Sequence, residues 1–323
     1  MSRDVAIIVP TMRRPDSLTQ ALQSLFAQSG VSERVAAIVI VDNDPDGTAG
    51  PTVAGLTAAS PWPLVYRHEP RPGVATARNA GLAATDAPLI AFLDDDEAAT
   101  PTWLAALLQG LAATGADVVF GPIRGRVPDG TGWTTHYLER FFGREGPHAT
   151  GLIHSPYGCG NSLMVRATAL PGFAPFDAGM DQSGGEDDAL FSALSERGGR
   201  FGWAADAWVD EFAPPHRATL RYALARAFAY GQGPSQTAAR ERKWPALVRS
   251  MVVGAAQAVV WGVVSLALSA TRNPERAQTF DSTARGLGKV FWTKSFEPHF
   301  YGVHELARLK AVAASAPSQS SMR

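Results

Sequence analysis

An apolar run, Pro88-Leu89-Ile90-Ala91-Phe92-Leu93, ends on three consecutive acids, Asp94-Asp95-Asp96. A run of this length and composition reads as a buried strand of an α/β sheet. Three adjacent carboxylates raise one another's pKa unless a cation lies among them. Hard oxygen donors on adjacent and alternate residues suit Mg²⁺ or Mn²⁺, which bridge carboxylates to phosphates. The carboxyl ends of strands are also where open α/β sheets bind their ligands. A solvated acidic loop after a strand would have the same local sequence, so the rest of the chain has to decide.

Residues 5–9 (Val-Ala-Ile-Ile-Val) read as a first buried strand. They are followed by Pro10-Thr11-Met12-Arg13-Arg14-Pro15 and a helix capped at Asp16 or Ser17, with Leu18, Leu22, Leu25 and Phe26 on one face. The loop contains neither G-x-G-x-x-G nor G-x-x-x-x-G-K, which disfavours a dinucleotide site and excludes a Walker-type phosphate loop. A second strand, 36–41, runs into Asp42-Asn43-Asp44, and a short third strand covers 64–67. A helix over 74–84 carries Arg78 and Asn79. With the Asp94 strand next, the order is β-α-β-α-β-α-β, which implies a parallel sheet with right-handed crossovers. Further on, the pattern predicts a helix over 101–111 capped by Thr100 and a strand over 116–121. Residues 124–155 form an irregular, substrate-facing stretch, followed by a strand over 160–165. A helix opens at Gly184-Gly185-Glu186-Asp187-Asp188, and a last strand covers 201–208.

The 323 residues, 46% hydrophobic and 18% charged, can bury a full core and hold more than one domain. A formal net charge of −1 excludes nucleic-acid binding by bulk electrostatics. The single cysteine, Cys159, excludes an intrachain disulfide and fits a reducing compartment as a small buried residue. The first residues run into an apolar strand without a basic and then apolar leader, so the N-terminal part is expected in the cytoplasm. From about residue 217 the chain turns helical and basic, with one helix expected to end at Gly231 and Gly233. Residues 251–270 carry no charge and match the ~20 residues of a bilayer span. Cations at 240, 242, 243 and 249 precede them, and Phe291, Trp292, Phe300 and Tyr301 suit an interface. Association with the cytoplasmic face of a membrane is expected; a packed helix or an oligomer contact would show the same pattern.

Six short motifs stand in one order: Ile8-Val9-Pro10-Thr11 with Arg14; Val41-Asp42-Asn43; Gly73 with Ala77-Arg78-Asn79-Ala80-Gly81-Leu82; Phe92-Leu93-Asp94-Asp95-Asp96; Gly160-Asn161-Ser162; and Gly185-Glu186-Asp187. In this order and at this spacing the chain resembles the glycosyltransferase family 2 enzymes over roughly residues 5–216. The resemblance implies the GT-A fold, a Rossmann-like, mostly parallel sheet flanked by helices. It covers a GT-A domain over 1–216; composition then marks off a helical region over 217–310, expected to associate with a membrane, and a flexible tail over 311–323. The resemblance also implies transfer of a sugar, with inversion, from a nucleotide-diphospho-sugar to an acceptor hydroxyl on a glycan or lipid-linked glycan, using Mn²⁺ or Mg²⁺. Assembly of a cell-envelope polysaccharide or glycolipid is the expected setting. The family's processive members carry Q-x-x-R-W and several strong membrane helices, so a single-sugar transferase is expected here.

Carried over residue by residue, the resemblance places Pro10 and Thr11 at the base and ribose pocket, with Arg14 near the nucleotide. Asp42, and less directly Asp44, would accept a hydrogen bond from the base, while Arg78 would lie near the nucleotide or its phosphates. Asp94 and Asp95 would face the ribose or base side, Asn161 would join the donor site, and Asp96 would hold the metal, with His216 completing its shell. The base that deprotonates the acceptor would be Asp187, positioned with Glu186 and beside the similar Asp188. The bland alternatives are a strand-ending Pro10, a turn-capping Asp42, a surface Arg78, a loop histidine at 216, and acids that merely complement a helix N-terminus. A sugar nucleotidyltransferase and a non-catalytic scaffold of the same fold are the rival functions. The former would show a Gly-rich basic loop after the first strand; the latter has no use for Asp94, Asp96 and Asp187.

Overall fold

The computed structural model describes residues 3–300, 306–308 and 310, and these fall into two compact units. One is drawn from residues 3–123, 145–210 and the few described residues after 298; the other is Arg124–Arg144 with Glu211–Pro298. Residues 124–144, read from sequence with the first domain, thus belong to the second unit. The expected tail 311–323 and Tyr301 lie outside the described residues.

The first unit alternates strand and helix: β1 (Val5–Thr11), α1 (Pro15–Phe26), β2 (Val35–Asp42), α2 (Gly50–Leu56), β3 (Leu64–His68), α3 (Val74–Ala83), β4 (Leu89–Phe92), β5 (Glu97–Ala99), α4 (Trp103–Thr114) and β6 (Val118–Phe120). β7 (Ile123–Arg126) leads into the second unit, which holds α5 (Thr135–Phe142). The chain returns for β8 (Gly151–Ile153), β9 (Ser162–Val165), α6 (Arg166–Ala169), α7 (Glu186–Glu196) and β10 (Phe201–Trp203), and leaves again through β11 (Val209–Phe212). The main sheet has the order β3-β2-β1-β4-β9-β6-β10-β8. Its first four strands are parallel, as the alternating pattern requires, and so is the β6–β10 pair. β9 runs antiparallel to both β4 and β6. That reversal has a consequence for the site: Ser162 pairs with Phe92, so Gly160 arrives beside Asp94 at the carboxyl end of β4.

Both faces of the sheet are covered, which is why its strands read as unbroken apolar runs. Side chains alternate across it. Val5, Ile7 and Val9 join Leu18, Leu22, Leu25 and Trp103 on one side; Ala6 and Ile8 join Ala77, Phe92, Phe120 and Phe191 on the other. Helix α1 begins at Pro15, and neither Asp16 nor Ser17 caps it, because proline at the first helical position presets φ and needs no N–H partner.

In the second unit α8 (Leu220–Arg240), α9 (Trp244–Ala270) and α10 (Arg276–Val290) pack on one another, with Tyr137 and Leu138 of α5 against Ala223 and Ala277. The glycines expected to end α8 do not. The helix runs through Gly231, Gly233 and Pro234 to Arg240. A Cβ on Gly231 would lie 2.2 Å from the Arg285 carbonyl oxygen, so this glycine serves close helix contact and not a C-cap.

Helix α3 sits against β1 and β2 through Gly81, where a Cβ would meet Ile8 Cγ2 at 2.5 Å and Val41 Cγ2 at 3.1 Å. Gly81→Val should therefore destabilise the protein by about 1–3 kcal/mol through overpacking. Gly55→Ala, at a helical position with open space around it, should be neutral or stabilising by up to ~1 kcal/mol. Urea midpoints of the two variants at unchanged m-value would check the contrast.

Candidate active site

The carboxyl ends of β1, β2 and β4 lie side by side, and each ends in polar residues. At the end of β1, the buried Thr11 hydroxyl donates to Asp95 Oδ2 at 2.7 Å, and Arg14 Nη1 reaches Asp95 Oδ1 at 2.9 Å and Asp96 Oδ2 at 3.0 Å. Asp95 is buried, while Asp94 and Asp96 on either side of it are only partly so. Burial pushes the Asp95 carboxyl above its ordinary value; Arg14 and the Thr11 hydroxyl pull it back, while Asp96 and Asp94 add to the rise. The three acids thus divide: Asp95 and Asp96 tie the strand end to Arg14, with Asp95 also bound to Thr11 of β1, while Asp94 lies toward Arg78.

At the end of β2 the three residues also separate. Both Asp42 oxygens accept from protein donors, the amides of Asp44 (3.2 Å) and Ala49 (2.7 Å) and the Tyr66 hydroxyl (2.9 Å). Burial and this carboxylate push the Tyr66 phenol up to about 12. Asn43 donates to the carbonyls of Glu69 (3.0 Å) and Arg71 (2.7 Å) and accepts from the Gly73 amide at 2.7 Å, which fixes the entry to α3. Asp44 is fully buried. Its Oδ1 accepts from Arg13 Nε at 3.1 Å, whereas Oδ2 has no hydrogen-bond partner among the described residues. Pro10 is half-buried at the end of β1, in register with Val41.

Helix α3 carries Arg78 into the interior. Its guanidinium pairs with Glu186, lies 3.7 Å from Asp94 Oδ1 and stands 5.6 Å from the centre of the Phe176 ring. Burial works against the Arg78 charge, but the acids around it outweigh burial and hold it above its ordinary value. Its Nε is buried and has no partner among the described residues. Glu186 is 4% exposed, and burial pushes its carboxyl up to about 7, with Arg78 opposing the rise and Asp187 adding to it. Asp187 accepts from the Cys159 amide at 3.0 Å through Oδ2 and from the Asp188 amide at 2.9 Å through Oδ1. A Cβ on the next residue, Gly160, would lie 2.6 Å from Asp94 Oδ2. Asp94 and Asp187 therefore meet two consecutive residues of one segment, 159–160. Burial pushes the Cys159 thiol far up, so it is a neutral packing group.

Asn161 takes a left-handed backbone (φ 51) and is fully buried. Its amide accepts from Trp103 Nε1 at 2.7 Å and donates to the carbonyls of Pro122 (2.8 Å) and Ala207 (2.9 Å). Its side chain thus serves the fold around the segment. His216 belongs to the second unit, in the turn that opens at Pro214.

Some residues escaped the sequence reading. Asp181 accepts from the Thr76 amide (3.0 Å) and hydroxyl (2.6 Å) at the start of α3, in the space that a side chain on Gly73 would fill. Arg13 balances Asp44, and Glu97 accepts from the Asp94 amide at 3.0 Å. Asp181 acts across 105 residues of chain, a separation for which no local spacing gives a signal.

Among the described residues, no three His, Cys, Asp or Glu side chains converge into a ready-made metal shell. The donor chemistry nevertheless fits a hard divalent cation. Asp94 and Asp96 offer carboxylate oxygens at the sheet's ligand-binding end, and such ions complete their shells with phosphate and water oxygens.

Residues 6–170 match the sequence profile of Glycosyl transferase family 2. The chain belongs to this family. It is 34% identical over 229 residues to the succinoglycan biosynthesis protein ExoM of Rhizobium meliloti (strain 1021), covering 71% of this chain and 73% of that one. It is 28% identical over 271 residues to the pre-mycofactocin glycosyltransferase of Mycobacterium tuberculosis, covering 82% of this chain and 53% of that protein. Among solved structures, the mannosyltransferase PcManGT of Pyrobaculum calidifontis, in complex with GDP-Man and Mn²⁺, superposes with a TM-score of 0.60. It shares 16% identity over 91% of this chain and 88% of its own. The fold is GT-A, and the family 2 chain is a glycosyltransferase.

The Glu186 carboxyl gives a stability prediction. Its pKa is raised on folding, so the protein binds this proton more tightly than the unfolded chain does, and the associated stability is lost as pH rises from the unfolded value through about 7. Urea unfolding at about pH 5 and about pH 8 should show the wild type losing stability relative to Glu186→Gln across that interval.

Proposed function

We propose that this family 2 glycosyltransferase moves one sugar, with inversion at the anomeric carbon, from a nucleotide-diphospho-sugar to a hydroxyl of a growing glycan. The work is that of polysaccharide assembly at the cytoplasmic face of a membrane. The observation that carries the chemistry is the meeting of Asp94 and Asp187 on residues 159–160. A phosphate-side acid and a candidate base thus bracket one small volume. Similarity to ExoM over 71% of the chain supports the polysaccharide setting. The long apolar α9 supports the membrane.

In this reading Asp187 removes the proton from the acceptor hydroxyl while that oxygen bonds to the anomeric carbon, and the bond from that carbon to the nucleoside diphosphate breaks. Backbone amides of Cys159 and Asp188 orient the carboxylate. Arg78, with its buried unpaired Nε, faces the diphosphate, and Glu186 positions Arg78. Asp42 shapes the turn at the end of β2, and the buried Asp44, held by Arg13, supports the nucleoside pocket from beneath. Thr11 and Arg14 hold the Asp95 and Asp96 carboxylates in place. Asp94 and Asp96 would hold Mn²⁺ or Mg²⁺, which when bound neutralises charge on the leaving diphosphate.

Asp187→Asn should lower transfer by about 10²–10⁴-fold, the range for loss of a general base, with nucleotide binding retained. Transfer at the normal rate by this variant would remove Asp187 from the role. In a thermal-shift panel, one nucleoside diphosphate with Mn²⁺ should stabilise the protein by ~2.7 kcal/mol at ~100 times its dissociation constant. Chelator, or Asp96→Asn, should abolish that gain.

A further inference from the structure

We propose that α9 lies in the plane of the membrane interface as a one-sided anchor and does not cross the bilayer. The inference rests on the membrane association proposed above and specifies its geometry. At 27 residues α9 is about 40 Å long, enough for a span, and its best window has a mean hydropathy of 2.0. Its polarity is inverted relative to a helix that meets water. Val252, Val259, Val263 and Leu266 are 63%, 66%, 63% and 74% exposed, whereas the polar residues Gln257 and Ser265 face inward. A continuous valine and leucine face of this kind needs an apolar cover, and a lipid layer supplies one.

What decides between lying and crossing is the other face. Gln257, near the middle of the uncharged stretch, donates to the Ser282 carbonyl at 2.8 Å and accepts from Lys289 Nζ at 2.9 Å; Ser265 donates to Thr279 at 2.9 Å. Helix α10 therefore covers α9 at the depth where a crossing would place the bilayer centre. α10 brings Asp281, Arg285 and Lys289 with it in the space of one short helix. Charged side chains at that depth are strongly disfavoured. In the in-plane arrangement the same charges stay on the watery side. The cations near α9 point the same way: Arg240, Arg242, Lys243 and Arg249 stand at its start, and Arg272 and Arg276 at its end. A spanning helix biases such charges to one side, whereas an in-plane helix meets anionic headgroups at both ends. Trp244, 59% exposed at the first turn, is an interfacial residue by type.

The test uses the full chain with Glu241→Cys or Glu275→Cys, exposed positions on either side of α9; the native Cys159 is buried. In inverted membrane vesicles, a membrane-impermeant maleimide should label both variants equally. Labelling of one and protection of the other would establish a span and overturn the proposal. In parallel, purified protein should float with phosphatidylglycerol–phosphatidylcholine vesicles. Val259→Glu with Leu266→Glu should lose flotation at least tenfold while keeping the wild-type melting temperature and soluble-acceptor activity. Failure of the wild type to float, with a stable dimer that the same double variant dissociates, would assign the face to a second copy and overturn membrane association itself.

Discussion

One buried guanidinium makes the site possible. Arg78 enters from α3 and meets Asp94 after the neighbouring β4 and Glu186 at the start of α7, more than a hundred residues on, so three elements converge on one charge. Without that cation, Glu186 and Asp187 would face Asp94 across a poorly solvated interior, a like-charge arrangement that forces protonation or rearrangement. A single partner removed from such a cluster leaves an uncompensated buried charge, which is far costlier than the pair itself is stabilising. The raised Glu186 carboxyl shows how closely this balance is drawn: burial and Asp187 push one way and Arg78 the other.

Arg14 performs the matching task on the other side of the acidic run. By binding Asp95 and Asp96 together it lets β4 end in three carboxylates, with Asp95 buried and its two neighbours part-exposed. The division of labour follows from the turn after β4: Asp95 and Asp96 both reach Arg14, while Asp94 lies toward Arg78 and Gly160. A cation there would meet a site already partly neutralised, and its remaining coordination would fall to phosphate oxygens.

The second unit follows a different rule. Its helices meet through glycine and small polar residues, and its apolar side chains on α9 face outward. Hydrophobic burial organises the sheet unit. In the helical unit a small apolar cluster around Leu138 is joined by close backbone approach and interhelical hydrogen bonds.

Much of the sheet unit was legible in the chain. Apolar runs of strand length separated by helical periodicity determine a parallel arrangement, because each run must be buried on both faces and each crossover must return to the same edge. The acids at the ends of β2 and β4 and at the start of α7 stand out in the chain because strand ends and helix starts are where an open α/β sheet places polar groups, whether for a ligand or for a turn. Local pattern could not assign roles within each cluster. Asp42 and Asp44 are two residues apart and look alike, yet one is saturated by Ala49 and Tyr66 while the other retains an unpaired oxygen. Asn161, read from its motif as part of the donor site, ties Trp103 to two carbonyls, partners that no local spacing signals. The antiparallel entry of β9, the capping of α3 by Asp181 and the passage of α8 through Gly231 all depend on partners more than forty residues away. Sequence by itself determined which residues carry charge and which strands are buried, since those are properties of each residue and its near neighbours. Only tertiary structure decided which charges face one another, because a hydrogen bond between distant segments is set by the packing of whole helices against the sheet.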